Sequence, residues 1–184
     1  MTSNHLAPDG ATPEGDGIVL GTGPVRIDAY IDFMCPYCRR FEARSGPTLD
    51  RLVAEGKVTL VYHPVGFLNR FSQGTRYSTR AVAAAGCASD AGSFAAFKDA
   101  LFAKQPDENT AGLSDEQMIA LGAEAGVGGG FADCVRAGAH LPWADSATDA
   151  AAVKGITGIP TVFVNGRHVE PNPYRIADAV AGAQ

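Results

Sequence analysis

The sequence lacks several features that would place it in a specialised class of protein. Its 184 residues contain no apolar run near the length of about 20 residues that a membrane-spanning helix needs. Its charges form no block of one sign and sum to −5, which argues against binding to nucleic acid or to an anionic membrane. Only four residues are cysteine, too few for a small domain held together by disulfides. With 46% hydrophobic residues the chain can instead bury a sizeable core, and its length fits one domain with room for an insertion.

Residues 1–17 also lack the apolar stretch of a signal peptide, and they are polar and rich in proline and glycine. We predict a disordered lead-in over this range. Two locations stay open at this point. The protein stays in the cytoplasm if the chain is complete as it stands, and it works outside the cytoplasm if an export segment has been trimmed from it.

Hydrophobic periodicity predicts a strand–helix–strand unit near the start of the chain. Residues 18–20 form a short apolar run, and residues 25–31 alternate between apolar and polar side chains as a strand does. A helix is expected from Pro36, since proline is favoured at the first helical position, and the Ser-Gly-Pro segment at 45–47 should kink or restart it. Residues 57–63 indicate a further strand, which such a connection makes parallel to the preceding one.

The middle of the chain, residues 72–154, carries helical signals and no convincing strand. Helices are predicted at about 75–89, at 93–104, from a capping-box sequence at 114–117, at 130–137 and at 142–154. Strand signals return at 161–164, followed by the hairpin dipeptide Asn-Gly, a return strand and a last helix. The order predicts an α/β fold, a central mixed sheet flanked by helices. Residues 18–71 and 155–184 build this core, and residues 72–154 form an inserted all-helical subdomain.

Cys35 and Cys38 are the residues most suited to chemistry. They lie at positions i and i+3 where the predicted helix begins, so both sulfurs reach one side of the same turn. Unpaired backbone N–H groups and the positive end of the helix dipole favour a thiolate there, most strongly at Cys35. Arg39 and Arg40 lie in the same turn and should act in the same direction. The spacing therefore predicts a redox pair in which Cys35 attacks a disulfide and Cys38 resolves the mixed disulfide.

A Cys-x-x-Cys pair can instead be half of a zinc site, which would need two more ligands. The available residues are Cys87, Cys134, His63, His140 and His168, and no two of them form a second close-spaced pair. The context of a strand before the cysteines and a helix after them favours redox chemistry, and we expect no metal.

Two segments give the chain a family resemblance. Residues 32–42, Asp-Phe-Met-Cys-Pro-Tyr-Cys-Arg-Arg-Phe-Glu, and residues 155–166, Gly-Ile-Thr-Gly-Ile-Pro-Thr-Val-Phe-Val-Asn-Gly, resemble the DsbA-like thioredoxin-fold thiol–disulfide oxidoreductases. The helical insertion and residues 101–106 match as well, so the likeness runs from about Ile18 to the C-terminus. It implies a thioredoxin-like core in which a cis-proline loop packs against the two cysteines.

The resemblance also implies an active-site loop and a substrate surface. The loop would comprise Pro36, Tyr37, Ile159 and Pro160. The backbone of Ile159 would pair with an extended substrate segment, and a shallow apolar surface would surround the sulfurs. The residues expected to line that surface are Phe33, Met34, Tyr37 and Phe67, with ordinary core packing an equal alternative for Phe33 and Phe67.

Three positions depart from the family pattern. The family often has a buried carboxylate six residues before the first cysteine, as proton acceptor for the second, and this chain has Ala29 there. Asp28 and Asp32 are near but are expected to point to the other face of the strand or into the loop, which leaves the proton relay without a source. Tyr37 stands where strongly oxidising members have histidine, and Ile159 stands where many relatives have threonine.

Cys87 and Cys134 fall in predicted helices of the insertion, 47 positions apart. They are either two buried thiols or a structural disulfide. We predict the disulfide, which would close a loop long enough to stabilise the fold by roughly 4 kcal/mol and would suit an oxidising compartment.

The predicted function is thiol–disulfide exchange through the Cys-Pro-Tyr-Cys pair, without a cofactor. The partners would be the thiols and disulfides of proteins and an unidentified redox partner, with no nucleic acid and no membrane span. One alternative is a glutaredoxin-like reductase of small-thiol mixed disulfides. A further one is a metal- or ligand-binding module without turnover.

Overall fold

A computed structural model describes residues 6–184, and residues 1–5 lie outside the description. Within that range five strands form one sheet: β1 (Ile18–Leu20), β2 (Val25–Ile31), β3 (Val58–Pro64), β4 (Thr161–Val164) and β5 (Arg167–Val169). Seven α-helices accompany them: α1 (Pro36–Ala54), α2 (Tyr77–Asp90), α3 (Phe94–Ala103), α4 (Asp115–Glu124), α5 (Phe131–Ala137), α6 (Leu141–Val153) and α7 (Pro173–Ala183). None of the helices between residues 6 and 184 is long and apolar enough to cross a bilayer.

The sheet has the strand order β1-β3-β2-β4-β5, which confirms the predicted α/β architecture. β2 lies in the middle and pairs in parallel with β3 and antiparallel with β4. The parallel pairing follows from the long crossover through α1, as the strand–helix–strand pattern predicts. Ile27 and Ala29 on β2 have no solvent exposure, so the chain enters the loop with the cysteines from a buried strand in the middle of the sheet.

α1 runs as one helix past Pro47, so the prediction that it restarts there is wrong. A proline inside a helix removes one hydrogen bond and costs about 3 kcal/mol. Phe41, Leu49 and Leu52 lie on both sides of Pro47, and all three are buried. The apolar burial of the two halves against the same core outweighs the local cost of the proline.

The segment between β3 and β4 is helical throughout its regular structure, and α2 is the helix that the others pack around. Twelve of its fourteen residues are buried, and five of the twelve are alanine. The predicted capping box at the start of α4 is present, with Ser114 and Gln117 bonded to each other's backbone N–H groups. Cys87 of α2 and Cys134 of α5 form a disulfide with Cα atoms 5.8 Å apart, which confirms the predicted pairing.

Residues 6–17 are packed against the rest of the molecule, which corrects the predicted disordered lead-in for the part that the structure describes. The indole N–H of Trp143 donates a hydrogen bond to the carbonyl of Gly15 at 2.7 Å. The Asp16 carboxylate forms an ion pair with Lys154 at 2.8 Å, and Thr12 is buried. These partners lie more than 100 residues away in the sequence, so local composition could not reveal them. The remaining residues of the predicted lead-in, 1–5, lie outside the described residues.

Candidate active site

Cys35 and Cys38 lie together at the N-terminus of α1. Cys35 is the N-cap residue with extended backbone, and Pro36 takes the first helical position, where a missing N–H costs nothing. The backbone N–H of Cys38 donates a hydrogen bond to the Cys35 Sγ at 3.4 Å. Both thiols are free and buried, and Cys35 keeps 3% of its surface exposed whereas Cys38 keeps none. Cys35 is therefore the sulfur nearer to solvent.

The loop before β4 brings a proline from the end of the chain to the same place. The Ile159–Pro160 peptide bond is cis, as the resemblance implies. The Cys35 thiol donates to the carbonyl oxygen of Ile159 at 3.8 Å. β4 pairs with β2, the strand that leads into the cysteines, and this pairing fixes the loop beside α1. The structure thus brings Cys35, Cys38, Ile159 and Pro160 together.

The two thiols differ in acidity. A hydrogen bond from the Cys38 thiol, followed by backbone N–H groups of Cys38 and Tyr37, lowers the pKa of Cys35 against the opposing effect of burial. Burial, followed by the hydrogen bond that it gives to Cys35, raises the pKa of the Cys38 thiol. The guanidinium carbon of Arg40 lies 5.5 Å from the centre of the Tyr37 ring, so the charge of Arg40 faces an aromatic side chain. The arrangement stabilises a thiolate at Cys35 and keeps the proton on Cys38.

Asp32, to which the sequence analysis gives no role, lies buried beside the cysteine pair. Its carboxylate is fully buried and accepts hydrogen bonds from the Met34 N–H at 2.9 Å, the Leu68 N–H at 2.9 Å and the Ser78 hydroxyl at 2.7 Å. Its own backbone N–H donates to the Cys38 Sγ at 3.5 Å. Burial raises its pKa to about 6, although those hydrogen bonds oppose the shift. The Asp32 side chain therefore points into the loop before α1, which is one of the two orientations that the sequence analysis expects.

Asp28 and Ala29, the other positions considered for a proton relay, lie elsewhere in the sheet. Asp28 accepts a hydrogen bond from His63 at 2.7 Å, and hydrogen bonds from His63 and Arg26 outweigh burial and lower its pKa to about 2. Ala29 is fully buried between β3 and β4. Neither residue places a carboxyl group next to Cys35 or Cys38.

Gln105, just after α3, is a second residue that no motif singled out by itself. Its side-chain N–H group donates to the carbonyl oxygens of Phe33 and Cys35, each at 2.9 Å. It thereby holds the loop before α1 against the helical insertion. The only sequence signal was its place in the segment 101–106 that carried part of the family resemblance.

A groove of about 480 Å³ opens beside Cys35. Its lining comes from Cys35, Tyr37, Phe67, Leu68, Arg70, Glu108 and residues 156–159. Tyr37 is 67% exposed and Phe67 is half-buried, so both predicted surface residues border the groove. Phe33 and Met34 have no exposure at all, and the Phe33 ring packs 5.3 Å from that of Phe102. The prediction that Met34 lines the surface is wrong, and for Phe33 the alternative of core packing is confirmed, because both residues belong to the core.

The other histidines and cysteines among residues 6–184 lie away from this site. His63 is paired with Asp28, and His168 lies in β5 against Phe163. His140 lies close to Cys87 and Cys134 with the spacing of a metal site, but the two sulfurs are bonded to each other. Among residues 6–184, no third histidine, cysteine or carboxylate joins Cys35 and Cys38 at such spacing.

Comparison with known proteins agrees with this geometry. The profile of a family described as Thioredoxin matches residues 15–179, nearly the whole chain. The chain belongs to the thioredoxin family. Within it, the reduced disulfide bond oxidoreductase DsbG of Mycobacterium tuberculosis has 32% sequence identity to the chain and a TM-score of 0.80. That match covers 94% of this chain and 88% of DsbG.

Two further proteins are similar in sequence to the chain. Reduced DsbA of Mycobacterium tuberculosis is 30% identical with a TM-score of 0.75, over 92% of this chain and 100% of DsbA. The serine/threonine-protein kinase PknE of the same organism is 33% identical over 159 residues, 81% of this chain. This thioredoxin-family chain spans 28% of the length of the curated kinases that it matches. The likeness to DsbG and DsbA places the chain among the DsbA-like thiol–disulfide oxidoreductases of the family.

Proposed function

We propose that the protein exchanges disulfides with the cysteines of other proteins through Cys35 and Cys38. One observation carries the proposal: a free thiol with a lowered pKa lies at a helix N-terminus, 3.8 Å from the Ile159 carbonyl and hydrogen-bonded to a second cysteine. The DsbG and DsbA relatives, described as disulfide oxidoreductases or as DsbA itself, support the same chemistry. A dithiol at one site can carry both electrons of a disulfide, so the reaction needs no cofactor.

The exchange takes place in two steps, in which the bonds formed match the bonds broken. The Cys35 thiolate attacks one sulfur of a substrate disulfide, forms a mixed disulfide and releases the other substrate sulfur as a thiolate. Cys38 then loses its proton and attacks the Cys35 Sγ, which forms the Cys35–Cys38 disulfide and releases the second substrate thiolate. The substrate is reduced by two electrons and the cysteine pair is oxidised by two. The reverse sequence oxidises a substrate dithiol.

The surroundings of Cys35 suit an extended protein segment. Ile159 and Pro160 lie at the entrance to β4 and are half-buried, so the backbone beside the thiol is open to a pairing strand. Tyr37 and Phe67 border the adjoining groove with apolar surface. We infer that a substrate pairs with the backbone at Ile159 and places the residues next to its cysteine on these two rings.

Reduction of insulin disulfides by a dithiol donor tests the proposal. The wild-type protein should accelerate the reaction, and Cys35→Ser should abolish the acceleration because no other described cysteine is free except the buried Cys38. Cys38→Ser should also lose insulin reduction but accumulate a mixed disulfide on Cys35, since the resolving thiol is missing.

The same variants separate the alternatives. If Cys38→Ser still reduces a glutathione-capped substrate at the wild-type rate, the one-cysteine mechanism of a glutaredoxin replaces the proposal. Stoichiometric zinc in freshly purified wild-type protein, lost in the Cys35→Ser and Cys38→Ser variants, would support a metal-binding module and contradict redox exchange.

A further inference from the structure

The groove beside Cys35 contains two charged side chains that form no ion pair with any of residues 6–184. They are Arg70, in the short 3₁₀ helix Asn69–Phe71 after β3, and Glu108, in the loop between α3 and α4. The other residues that line the groove are uncharged, apart from the thiolate that Cys35 can form. Because charges at a binding surface attract partners of complementary charge, these two residues can influence which proteins reach Cys35.

Arg70 is exposed, yet two contacts hold its guanidinium group in place. The guanidinium carbon lies 4.6 Å from the centre of the Phe71 ring, and one N–H group donates to the carbonyl oxygen of Phe67 at 3.3 Å. A guanidinium group has five N–H donors, so donors remain for a carboxylate of a substrate. Since the side chain is already ordered, it loses less conformational entropy when such a carboxylate binds.

Glu108 lies close to Arg70 because the backbone segments that carry the two residues are joined. The backbone N–H of Asn109 donates to the carbonyl oxygen of Phe71 at 2.7 Å, and the side chain of Gln73 donates to the carbonyl oxygen of Asn109 at 2.8 Å. The first of these bonds connects the residue after Glu108 with the residue after Arg70. A cation and an anion are thus carried by neighbouring segments of the groove wall.

We propose that the groove selects protein substrates by charge, with Arg70 binding an acidic side chain and Glu108 binding a basic side chain near the substrate cysteine. This specificity rests on the exchange reaction proposed above. Residues 156–159 line the same groove, so a segment that pairs with the backbone of Ile159 brings its side chains within reach of both charges. The preferred occupant is an extended protein segment in which residues of opposite charge lie near the cysteine.

The size of the effect follows from the exposure of the two side chains. Arg70 is exposed and Glu108 is half-buried, so water and salt screen the contact of each residue with a substrate charge. Exposed ion pairs of this kind change an equilibrium constant about twofold to fivefold. Contacts of this strength rank substrates without excluding any of them.

The rate at which Cys35 attacks capped peptides tests this specificity. Each peptide has one cysteine, joined by a disulfide to thiopyridine. Cys35 forms a bond to the peptide sulfur, the bond between the peptide sulfur and the cap breaks, and the released cap takes up a proton to become a thione whose absorbance is followed. The peptides carry Glu, Lys or Gln at a single position close to the cysteine. For the wild-type protein we expect Glu at one position, and Lys at another, to raise the second-order rate constant about threefold over Gln.

Charge reversal assigns each preference to one residue. Arg70→Glu should reverse the preference for Glu and keep the preference for Lys, whereas Glu108→Lys should reverse the preference for Lys and keep the preference for Glu. The milder Arg70→Gln and Glu108→Gln should abolish the same preferences without reversing them. The wild-type preferences should weaken as salt is raised toward about 1 M, where the Debye length falls to about 3 Å.

Arg44→Glu and Glu124→Lys are the matched controls. They make the same changes of net charge at exposed residues outside the groove, so both preferences should persist. Equal rate constants for all peptides would overturn the specificity, as would preferences that survive in the Arg70 and Glu108 variants. Preferences that the two controls also abolish would overturn it too, because the overall charge of the protein would then be responsible.

Dithiodipyridine, a small uncharged disulfide, separates this inference from the proposed function. Each peptide rate constant is divided by that of the same protein with dithiodipyridine, which corrects for any change in the thiolate fraction of Cys35. A wild-type protein that does not react with dithiodipyridine would contradict the exchange reaction, and the charge recognition with it. A normal reaction with dithiodipyridine, together with one rate constant for every peptide, would leave the exchange intact and overturn the charge recognition alone.

Discussion

The thiol of Cys35 and the carbonyl oxygen of Ile159 lie 3.8 Å apart although 124 positions separate them in the chain. The whole helical insertion lies between them in sequence, and the sheet returns the chain to the same point. β4 pairs antiparallel with β2, the strand that delivers the cysteines, so the loop before β4 and the start of α1 meet at one edge of the core. A reactive sulfur therefore lies beside a backbone segment that is suited to hold an extended substrate.

The lowered pKa of Cys35 predicts that its thiolate forms at lower pH than the thiolate of an ordinary cysteine. Titration of the reduced protein, followed by the ultraviolet absorbance of the thiolate, should show a midpoint below the value of about 8.5 for an ordinary cysteine. At pH values below this midpoint, a smaller fraction of Cys35 is present as thiolate. The rate of the first attack should therefore decrease as the solution is acidified. Cys38→Ala should raise the midpoint, since the hydrogen bond from the Cys38 thiol is the largest cause of the shift.

Cys35→Ser is the control for that titration. Its remaining free thiol, Cys38, has a raised pKa, so no thiolate should form near neutral pH. A transition below the ordinary cysteine midpoint that persists in Cys35→Ser would show that the assignment of the two sulfurs is reversed.

Phe33 and Phe67 should respond differently to truncation. Phe33 is fully buried against Phe102, so Phe33→Ala should lower the free energy of unfolding by about 3–5 kcal/mol. Phe67 is half-buried and borders the groove, so Phe67→Ala should cost about 1 kcal/mol and raise the KM for a protein substrate. Chemical denaturation and steady-state kinetics measure the two effects. If Phe33→Ala and Phe67→Ala lost equal stability and the KM of Phe67→Ala were unchanged, Phe67 would not be part of the substrate surface.

The Cys87–Cys134 disulfide should act on stability and leave the redox chemistry alone. It joins α2 and α5 across 47 positions, so the double variant Cys87→Ala/Cys134→Ala should lose about 2–5 kcal/mol of unfolding free energy. Guanidinium denaturation under non-reducing conditions measures this loss. The reactivity of Cys35 should be the same as in the wild-type protein when both are folded, and a changed thiolate midpoint would contradict a purely structural role.

Much of the architecture could be predicted because local chemistry specifies it. The Asn165-Gly166 turn has two residues with positive φ, as the dipeptide predicts, and it joins β4 to β5. Cys35 and Cys38 stand three positions apart at the start of a helix, and few kinds of protein site have this pattern. The parallel pairing of β2 and β3 follows from the helix between them.

The features that escaped prediction depend on contacts between distant parts of the chain. Asp32 directly follows β2, and only the fold shows that Leu68 and Ser78 enclose its carboxylate next to Cys38. Residues 6–17 are polar, yet a contact with Trp143 orders them. Phe33 stands beside the motif in sequence, where an exposed surface was expected, but the packing of α3 covers it.

Redox equilibration of Cys35 and Cys38 in glutathione buffers tests the central claim most directly. Alkylation and mass spectrometry of each cysteine should show both thiols disappearing together in one two-electron transition, at a potential between about −270 and −120 mV. Cys87 and Cys134 should stay paired through that transition. A protein whose Cys35 and Cys38 stay reduced at every potential would contradict the account. So would one that stops at a glutathione adduct on Cys35 with Cys38 still free.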